Sequence, residues 1–120
     1  MTERAELIVA LADMARDGVL EALNRRLAGK RPTRAQYRAA LLRVRATEPD
    51  LVRTVLEAWQ LPAAAAQDRR VDALVFMVAA IADLLGEQRN ELLALARPTV
   101  ERWASAHDPL WKRWTGELAC

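Results

Sequence analysis

The apolar residues of this chain recur at three- and four-residue spacing along most of its length, the pattern of helices that each bury one face. No stretch alternates with a period of two for long enough to indicate a strand. The spacing therefore predicts an all-α protein. A length of 120 residues suits one domain, so we expect residues 1–120 to form a single helical domain.

Glycine and proline residues divide this pattern into separate helices. Thr33 is a plausible N-cap, and Gly29 and Gly86 are plausible stops. The predicted helices cover about residues 2–28, 33–46, 50–61, 64–85 and 88–106, the last kinked or split at Pro98, and a short one starts at Asp108 and Pro109. Short connections favour antiparallel neighbours, so we expect a single compact bundle of five to six helices. The helix that includes residues 74–85 is apolar nearly all round and should be central.

Composition limits the class of protein. Residues 74–85 are the most apolar stretch, but Asp83 interrupts them and a membrane span needs roughly 20 residues. Cys120 is the only cysteine, which excludes an intramolecular disulfide and a Cys-based zinc site and suggests a reducing, cytoplasmic location. There is one histidine and no Gly-rich phosphate loop. We therefore expect no metal, no cofactor and no membrane span, and the charged residues near the N-terminus indicate no signal peptide.

Positive charge is concentrated between residues 25 and 53, which carry a net charge of +7, whereas the remaining residues sum to −5. At 3.6 residues per turn, Arg34, Arg38 and Arg45 fall within about 40° of one another on the second helix. Together with Arg31 they form what we call the arginine ridge, a candidate surface for the phosphates of DNA or RNA. The alternative is a solvated face, because 16 arginines against two lysines are also typical of a GC-rich coding sequence.

Three of the four tryptophans, Trp103, Trp111 and Trp114, lie near the end of the chain. Lys112 and Arg113 separate the last two, so large rings alternate with positive charge. This pattern is a candidate partner-binding surface, because exposed tryptophans anchor many protein interfaces. The alternative is core packing, since Trp111 and Trp114 are one turn apart and would share the face of a terminal helix that packs on the domain.

The only histidine, His107, follows Arg102 at the Arg-x4-His spacing. Over these six residues the chain resembles the HEPN ribonucleases, small all-α bundles in which such a pair acts on RNA without a metal. The resemblance implies that His107 is a general base. The chain departs from the family at Trp103, where a polar residue usually follows the arginine. The alternative is a histidine that interacts with the last carbonyls of its helix.

Taken together, these features favour a non-enzymatic helical interaction module, an accessory or assembly subunit that binds another protein through an apolar, tryptophan-bearing surface. One alternative is a small subunit that contacts DNA or RNA through the arginine ridge. A second alternative is an HEPN-like, metal-independent ribonuclease. The sequence leaves the oligomeric state open.

Overall fold

The computed structural model describes residues 3–107 of the chain. This part contains six α-helices, one short 3₁₀ helix and no β-strand, which confirms the all-α prediction. None of these helices is long and apolar enough to cross a membrane. The predicted short helix from Asp108 lies outside the described residues. The helices are α1 (Glu3–Arg16), α2 (Val19–Leu27), α3 (Arg34–Thr47), α4 (Leu51–Ala58), α5 (Arg69–Leu85) and α6 (Arg89–Ser105), and the 3₁₀ helix (Ala63–Gln67) precedes α5.

The prediction of one helix over residues 2–28 is wrong, because the chain turns at Gly18. Gly18 adopts a left-handed conformation with φ of 77°. Its amide bonds the Ala15 carbonyl, which closes α1, and its own carbonyl accepts the amide of Ala22, which opens α2. Because glycine adopts this conformation without strain, Gly18 separates two helices.

Replacing Gly18 with alanine should lower the free energy of unfolding by about 1 kcal/mol. A Cβ atom at this position would meet nothing within 4 Å, so the cost arises from the left-handed backbone and not from a clash. Gly18→Asn should cost less, because asparagine tolerates this conformation better. Urea unfolding of the three proteins measures the difference. Equal stability of the alanine variant would show that residues 17–18 do not need the left-handed turn.

The predicted helix start at Thr33 and the predicted helix end at Gly86 are confirmed, whereas the predicted start of the fourth helix is wrong. Thr33 forms a capping box with Gln36, in which the backbone N–H of Gln36 donates to the Thr33 hydroxyl at 3.1 Å. Gly86 ends α5 with φ of 68°. The fourth predicted helix begins at Arg69 rather than near residue 64. The Asp68 side chain accepts the Arg70 amide at 2.9 Å and sets this later start, while the alanines before it form the 3₁₀ helix. α6 continues unbroken through Pro98.

The core centres on α5, which packs against α3 on one side and α6 on the other. Over half of its residues are buried, as predicted for the central helix: Val71, Leu74, Val75, Phe76, Val78, Ala79, Ala80, Ile81 and Ala82. α6 adds Leu92, Val100 and Trp103 to the same core. In contrast, α1 contributes only Ala10 and Met14 as buried apolar residues. α1 therefore lies on the bundle with much of its apolar surface uncovered.

Candidate functional site

The outer side of α1 exposes a cluster of large aliphatic side chains. The exposed fractions are 54% for Leu7, 58% for Ile8, 43% for Val9 and 38% for Leu11. At 100° per residue, Leu7, Leu11 and Ile8 fall within about 100° of the helix circumference, next to the buried Ala10. We call these three residues the α1 strip. Leu42 of α3 is the remaining large apolar residue found exposed in the described part, and it stands alone.

One edge of the α1 strip borders a gap between α1 and α5. A shallow cavity of about 140 Å³ lies there, with Leu7 on one wall and Arg70 on the other. A smaller cavity of about 40 Å³ continues beneath Leu7 and Leu11 toward the ring of Trp103. The first cavity is lined by Glu6, Leu7, Ala10, Arg69, Arg70 and Ala73. The α1 strip is thus a surface with a recess that can accept a side chain.

Hydrogen bonds join the C-terminal half of α1 to α6. The indole N–H of Trp103 donates to Asp13 Oδ2 at 3.0 Å, and the buried Thr99 hydroxyl donates to Asp17 Oδ2 at 2.7 Å. Arg102 donates to Asp17 Oδ1 at 2.8 Å. The hydrogen bond from Trp103 is the main reason that the pKa of Asp13 lies below its usual value. Because these contacts hold α1 against α6, they determine which side of α1 faces solvent, and the α1 strip lies on that side.

Of the three C-terminal tryptophans, Trp103 lies among the described residues. Trp103 is only 3% exposed, and the guanidinium of Arg70 lies 5.1 Å from the centre of its ring. Its side chain therefore packs in the core, and among residues 3–107 the cluster of exposed apolar side chains lies on α1. Trp111 and Trp114 lie outside the described residues.

The four side chains of the arginine ridge are all exposed, but they differ in their contacts. Arg45 forms an ion pair with Asp72 at 3.0 Å and lies over the ring of Phe76, 4.4 Å from its centre. Arg31, Arg34 and Arg38 have no carboxylate within ion-pair distance among residues 3–107. The other arginines that form ion pairs in the described part are Arg25 with Glu21, Arg26 with Glu87, Arg70 with Asp68, Arg89 with Glu48 and Asp83, Arg97 with Glu101, and Arg102 with Asp13 and Asp17. Within the described part, Arg45 is therefore the member of the arginine ridge with an ion-pair partner, and the other three members have none.

Arg31 and Arg34 also line an open groove of about 830 Å³ between the end of α2 and the start of α3. Leu27 and Ile81 provide apolar walls, and burial raises the pKa of the half-buried Tyr37 hydroxyl beside them. The full lining is Asn24, Leu27, Ala28, Gly29, Arg31, Pro32, Thr33, Arg34, Tyr37 and Ile81. The sequence indicated the arginines but not the groove, because Ile81 arrives from the distant helix α5.

Arg102 and His107 are held by different carboxylates. Arg102 binds Asp17, whereas the His107 Nε2 atom lies 2.9 Å from Asp68 Oδ2. Asp68 also accepts hydrogen bonds from Arg70. Burial raises the pKa of Asp68, but the hydrogen bonds from Arg70 and His107 outweigh it and hold the pKa at about 2. The arrangement gives His107 a structural partner, and the ribonuclease hypothesis stays a prediction from the sequence.

The described residues contain no group of three or more histidine, cysteine, aspartate or glutamate side chains placed to hold a metal ion. No protein-family model, no curated protein and no solved structure matches the chain.

The α1 strip is the surface that sequence reasoning missed. Leu7, Ile8 and Leu11 recur at helical spacing, which predicts that they lie on the apolar, core-facing side of the first helix. A signal for their exposure is present in the sequence, because residues 7–11 are five consecutive apolar residues. Such a run surrounds most of a helix, and a helix that lies on a bundle surface buries only one side of it.

Proposed function

We propose that this protein is a non-enzymatic helical interaction module, an accessory or assembly subunit of the cytoplasm that binds another protein through the α1 strip. The observation that supports this function is the exposure of Leu7, Ile8 and Leu11 side by side on one helix. Contiguous exposed apolar surface is typical of protein interaction sites. Its burial against a partner contributes about 25 cal/mol per Å².

The partner that fits best is an amphipathic helix. The strip follows one side of α1 with side chains at positions i, i+1 and i+4, the spacing at which a second helix packs its own apolar residues. The cavity of about 140 Å³ at the edge of the strip can take one anchoring side chain from such a helix. Of the tryptophan-bearing surface expected from the sequence, Trp103 is buried and Trp111 and Trp114 lie outside the described residues, so the proposal rests on the aliphatic α1 strip.

Ile8→Glu should strongly weaken binding of the partner protein, because the substitution places a charge in the middle of the apolar contact. We expect affinity to fall at least tenfold, a loss of about 1.4 kcal/mol or more in binding free energy. Ile8 is exposed, so the folded structure should tolerate the change. Affinity capture from the native cells with wild-type and variant bait, followed by mass spectrometry, measures the loss.

The matched control is Leu42→Glu, which places the same charge at an exposed leucine on α3, 61% exposed. This variant should capture the same proteins as the wild type. If all three baits capture the same set, the α1 strip is not the binding surface.

A second candidate function is contact with DNA or RNA, favoured by the three unpaired members of the arginine ridge. Because Arg31, Arg34 and Arg38 have no carboxylate partner in the described part, binding a phosphate there breaks no existing ion pair. Arg45 would first have to leave Asp72. We therefore assign phosphate contact mainly to the three unpaired arginines and a smaller contribution to Arg45.

Replacing Arg31, Arg34 and Arg38 together with alanine should remove salt-sensitive binding to generic nucleic acid. Each phosphate contact adds about 0.9 to the slope of log affinity against log salt for duplex DNA, so the slope should fall by between about 2 and 3. Fluorescence anisotropy with a labelled duplex and a labelled single strand at several salt concentrations measures it.

The matched control removes three exposed arginines from other faces, Arg4, Arg16 and Arg97, and changes the net charge equally. It should keep most of the slope. An equal fall in both variants would show a general charge effect, and no binding by the wild type at low salt would leave the ridge as a solvated face.

A further inference from the structure

The groove between α2 and α3 combines positive charge with apolar walls. Arg31 and Arg34 line it, and neither has a carboxylate within ion-pair distance among residues 3–107. Leu27 and Ile81 form the apolar walls. Within the described part, no aspartate or glutamate lines the groove. A ligand that complements this surface therefore carries negative charge together with an apolar or aromatic group.

Tyr37 adds an aromatic ring and a hydrogen-bond donor to the same groove. Burial raises the pKa of its hydroxyl, which therefore stays protonated at neutral pH and can donate a hydrogen bond. Among residues 3–107 this hydroxyl has no hydrogen-bond partner. Tyr37 follows Arg34 by three residues on α3, a spacing that places the two side chains on the same side of the helix. An aromatic surface and a cation are thus about one helical turn apart.

Positive charge extends beyond the groove itself. Lys30 and Arg31 line an adjoining depression of about 260 Å³, which shares Arg31 and Pro32 with the groove. In the described part Lys30 has no carboxylate within ion-pair distance, and no acidic residue lines this depression. Arg38 follows Arg34 by four residues, one turn further along α3. A ligand with several negative charges can therefore contact more of these cations than a ligand with one.

Single-stranded nucleic acid has this combination of groups in every unit. Each nucleotide carries a phosphate for a cation and a base whose flat face stacks on an aromatic side chain. The bases of a duplex are paired and stacked on one another, so they cannot enter the groove, whereas the unpaired bases of a single strand can. An acidic peptide supplies the charges, but it lacks a planar group at every unit.

We propose that this groove binds single-stranded nucleic acid, with one unpaired base against Tyr37 and the neighbouring phosphates on Arg31 and Arg34. Leu27 and Ile81 provide the apolar surface on which the base excludes water. The inference rests on the second candidate function, contact with DNA or RNA. It adds the form of the nucleic acid and the role of Tyr37 in stacking.

Fluorescence anisotropy with three labelled ligands of equal length tests the proposal: a thymidine single strand, the same backbone without bases, and a duplex. The wild type should bind the thymidine strand at least about fivefold more tightly than the abasic strand, because stacking adds to the phosphate contacts. Tyr37→Leu keeps an apolar side chain but removes the ring, so this difference should disappear. The affinities of the variant for the abasic strand and the duplex should be unchanged, which also shows that it is folded.

Tyr37→Phe is the matched control, because it keeps the ring and removes only the hydroxyl. This variant should keep most of the preference for the thymidine strand. Since Tyr37 carries no charge, neither variant should change the slope of log affinity against log salt, in contrast to the loss of the three unpaired arginines.

Photo-crosslinking locates the base in the unaltered protein and so does not depend on the folding of a variant. A single strand with 5-iodouracil in place of thymine should crosslink to Tyr37, which trypsin releases in the peptide Ala35–Arg38. Crosslinks to Trp59, Trp111 or Trp114 without any to Tyr37 would place the base elsewhere and overturn the inference.

The binding data separate failure of this inference from failure of the function on which it rests. Equal affinity of the wild type for the thymidine and abasic strands would overturn the inference but leave phosphate contact in place. No binding of any nucleic acid at low salt would overturn both. If a peptide of alternating glutamate and phenylalanine displaces the labelled strand as well as the unlabelled strand does, the groove binds an acidic peptide, and the inference is wrong. None of these results bears on the α1 strip, which Ile8→Glu tests.

Discussion

Trp103→Ala should lower the free energy of unfolding by about 3–5 kcal/mol, the usual cost of truncating a buried tryptophan. The ring is 3% exposed and contacts the region where α1, α5 and α6 meet. The substitution also removes the donor to Asp13 and the aromatic face under Arg70. Since small domains have a total stability of about 5–15 kcal/mol, this single change removes a large part of it. Urea unfolding followed by circular dichroism measures the loss.

Trp103→Phe separates packing from the hydrogen bond. Phenylalanine keeps an apolar ring in the core but has no N–H group for Asp13, so this variant should lose less than half as much stability as the alanine variant. If Trp103→Ala stays within about 1 kcal/mol of the wild type, Trp103 is not a core residue and the position assigned to α1 is incorrect.

Acid should destabilise the protein by about 2 kcal/mol through Asp68 alone. The folded-state pKa is about 2 against an ordinary value of 3.8, so the folded protein favours the ionised carboxylate more than the unfolded chain does. A pKa lowered by folding adds stability that is fully present above the unfolded value and is lost as pH falls through the folded value. The loss should therefore develop as the pH falls from about 4 to about 2, at about 1.4 kcal/mol for each pKa unit.

Asp68→Asn isolates this contribution, because asparagine can still cap α5 but carries no charge. Urea unfolding at pH 7, 4 and 2.5 should show the variant less stable than the wild type by about 2 kcal/mol at pH 7, with the difference shrinking toward pH 2. Asp72→Asn, which removes the partly exposed partner of Arg45, should cost between about 0 and 1 kcal/mol at neutral pH. A difference for Asp68→Asn that does not change with pH would contradict the assignment.

The local signals in the sequence were sufficient for much of the fold. Thr33 with Gln36 and the left-handed Gly86 are caps whose chemistry involves only neighbouring residues, so sequence reasoning placed them correctly. The central position of α5 followed from its apolar residues on all sides. These features depend on a few consecutive residues or on overall hydrophobicity.

The features that the sequence did not predict depend on tertiary packing or on closely balanced local choices. Gly18 is compatible with a helix interior or a turn, and the folded chain adopts the turn, with α2 packed on the core through Val19 and Leu23. The alanines at residues 63–66 are strong helix formers, yet Asp68 begins α5 later by capping it. Propensity alone does not choose between such alternatives.

The candidate surfaces also combine features that the sequence predicted with features that depend on tertiary packing. The arginine ridge was visible because charge and helical spacing are sequence properties, but its division into paired and unpaired members depends on Asp72, which lies on α5. The α1 strip required knowledge of which side of α1 faces the bundle. Trp103 is buried, which was one of the two alternatives that the sequence left open.

The most direct test of the α1 strip as the binding surface is photo-crosslinking in the native cells with p-benzoylphenylalanine in place of Ile8, and separately in place of Leu42. Both positions are exposed and apolar, so they differ in location rather than in chemistry. The probe at position 8 should form a covalent adduct with another protein, and the probe at position 42 should form none. An absence of any intermolecular adduct at position 8, or the same adducts at both positions, would contradict the proposed function.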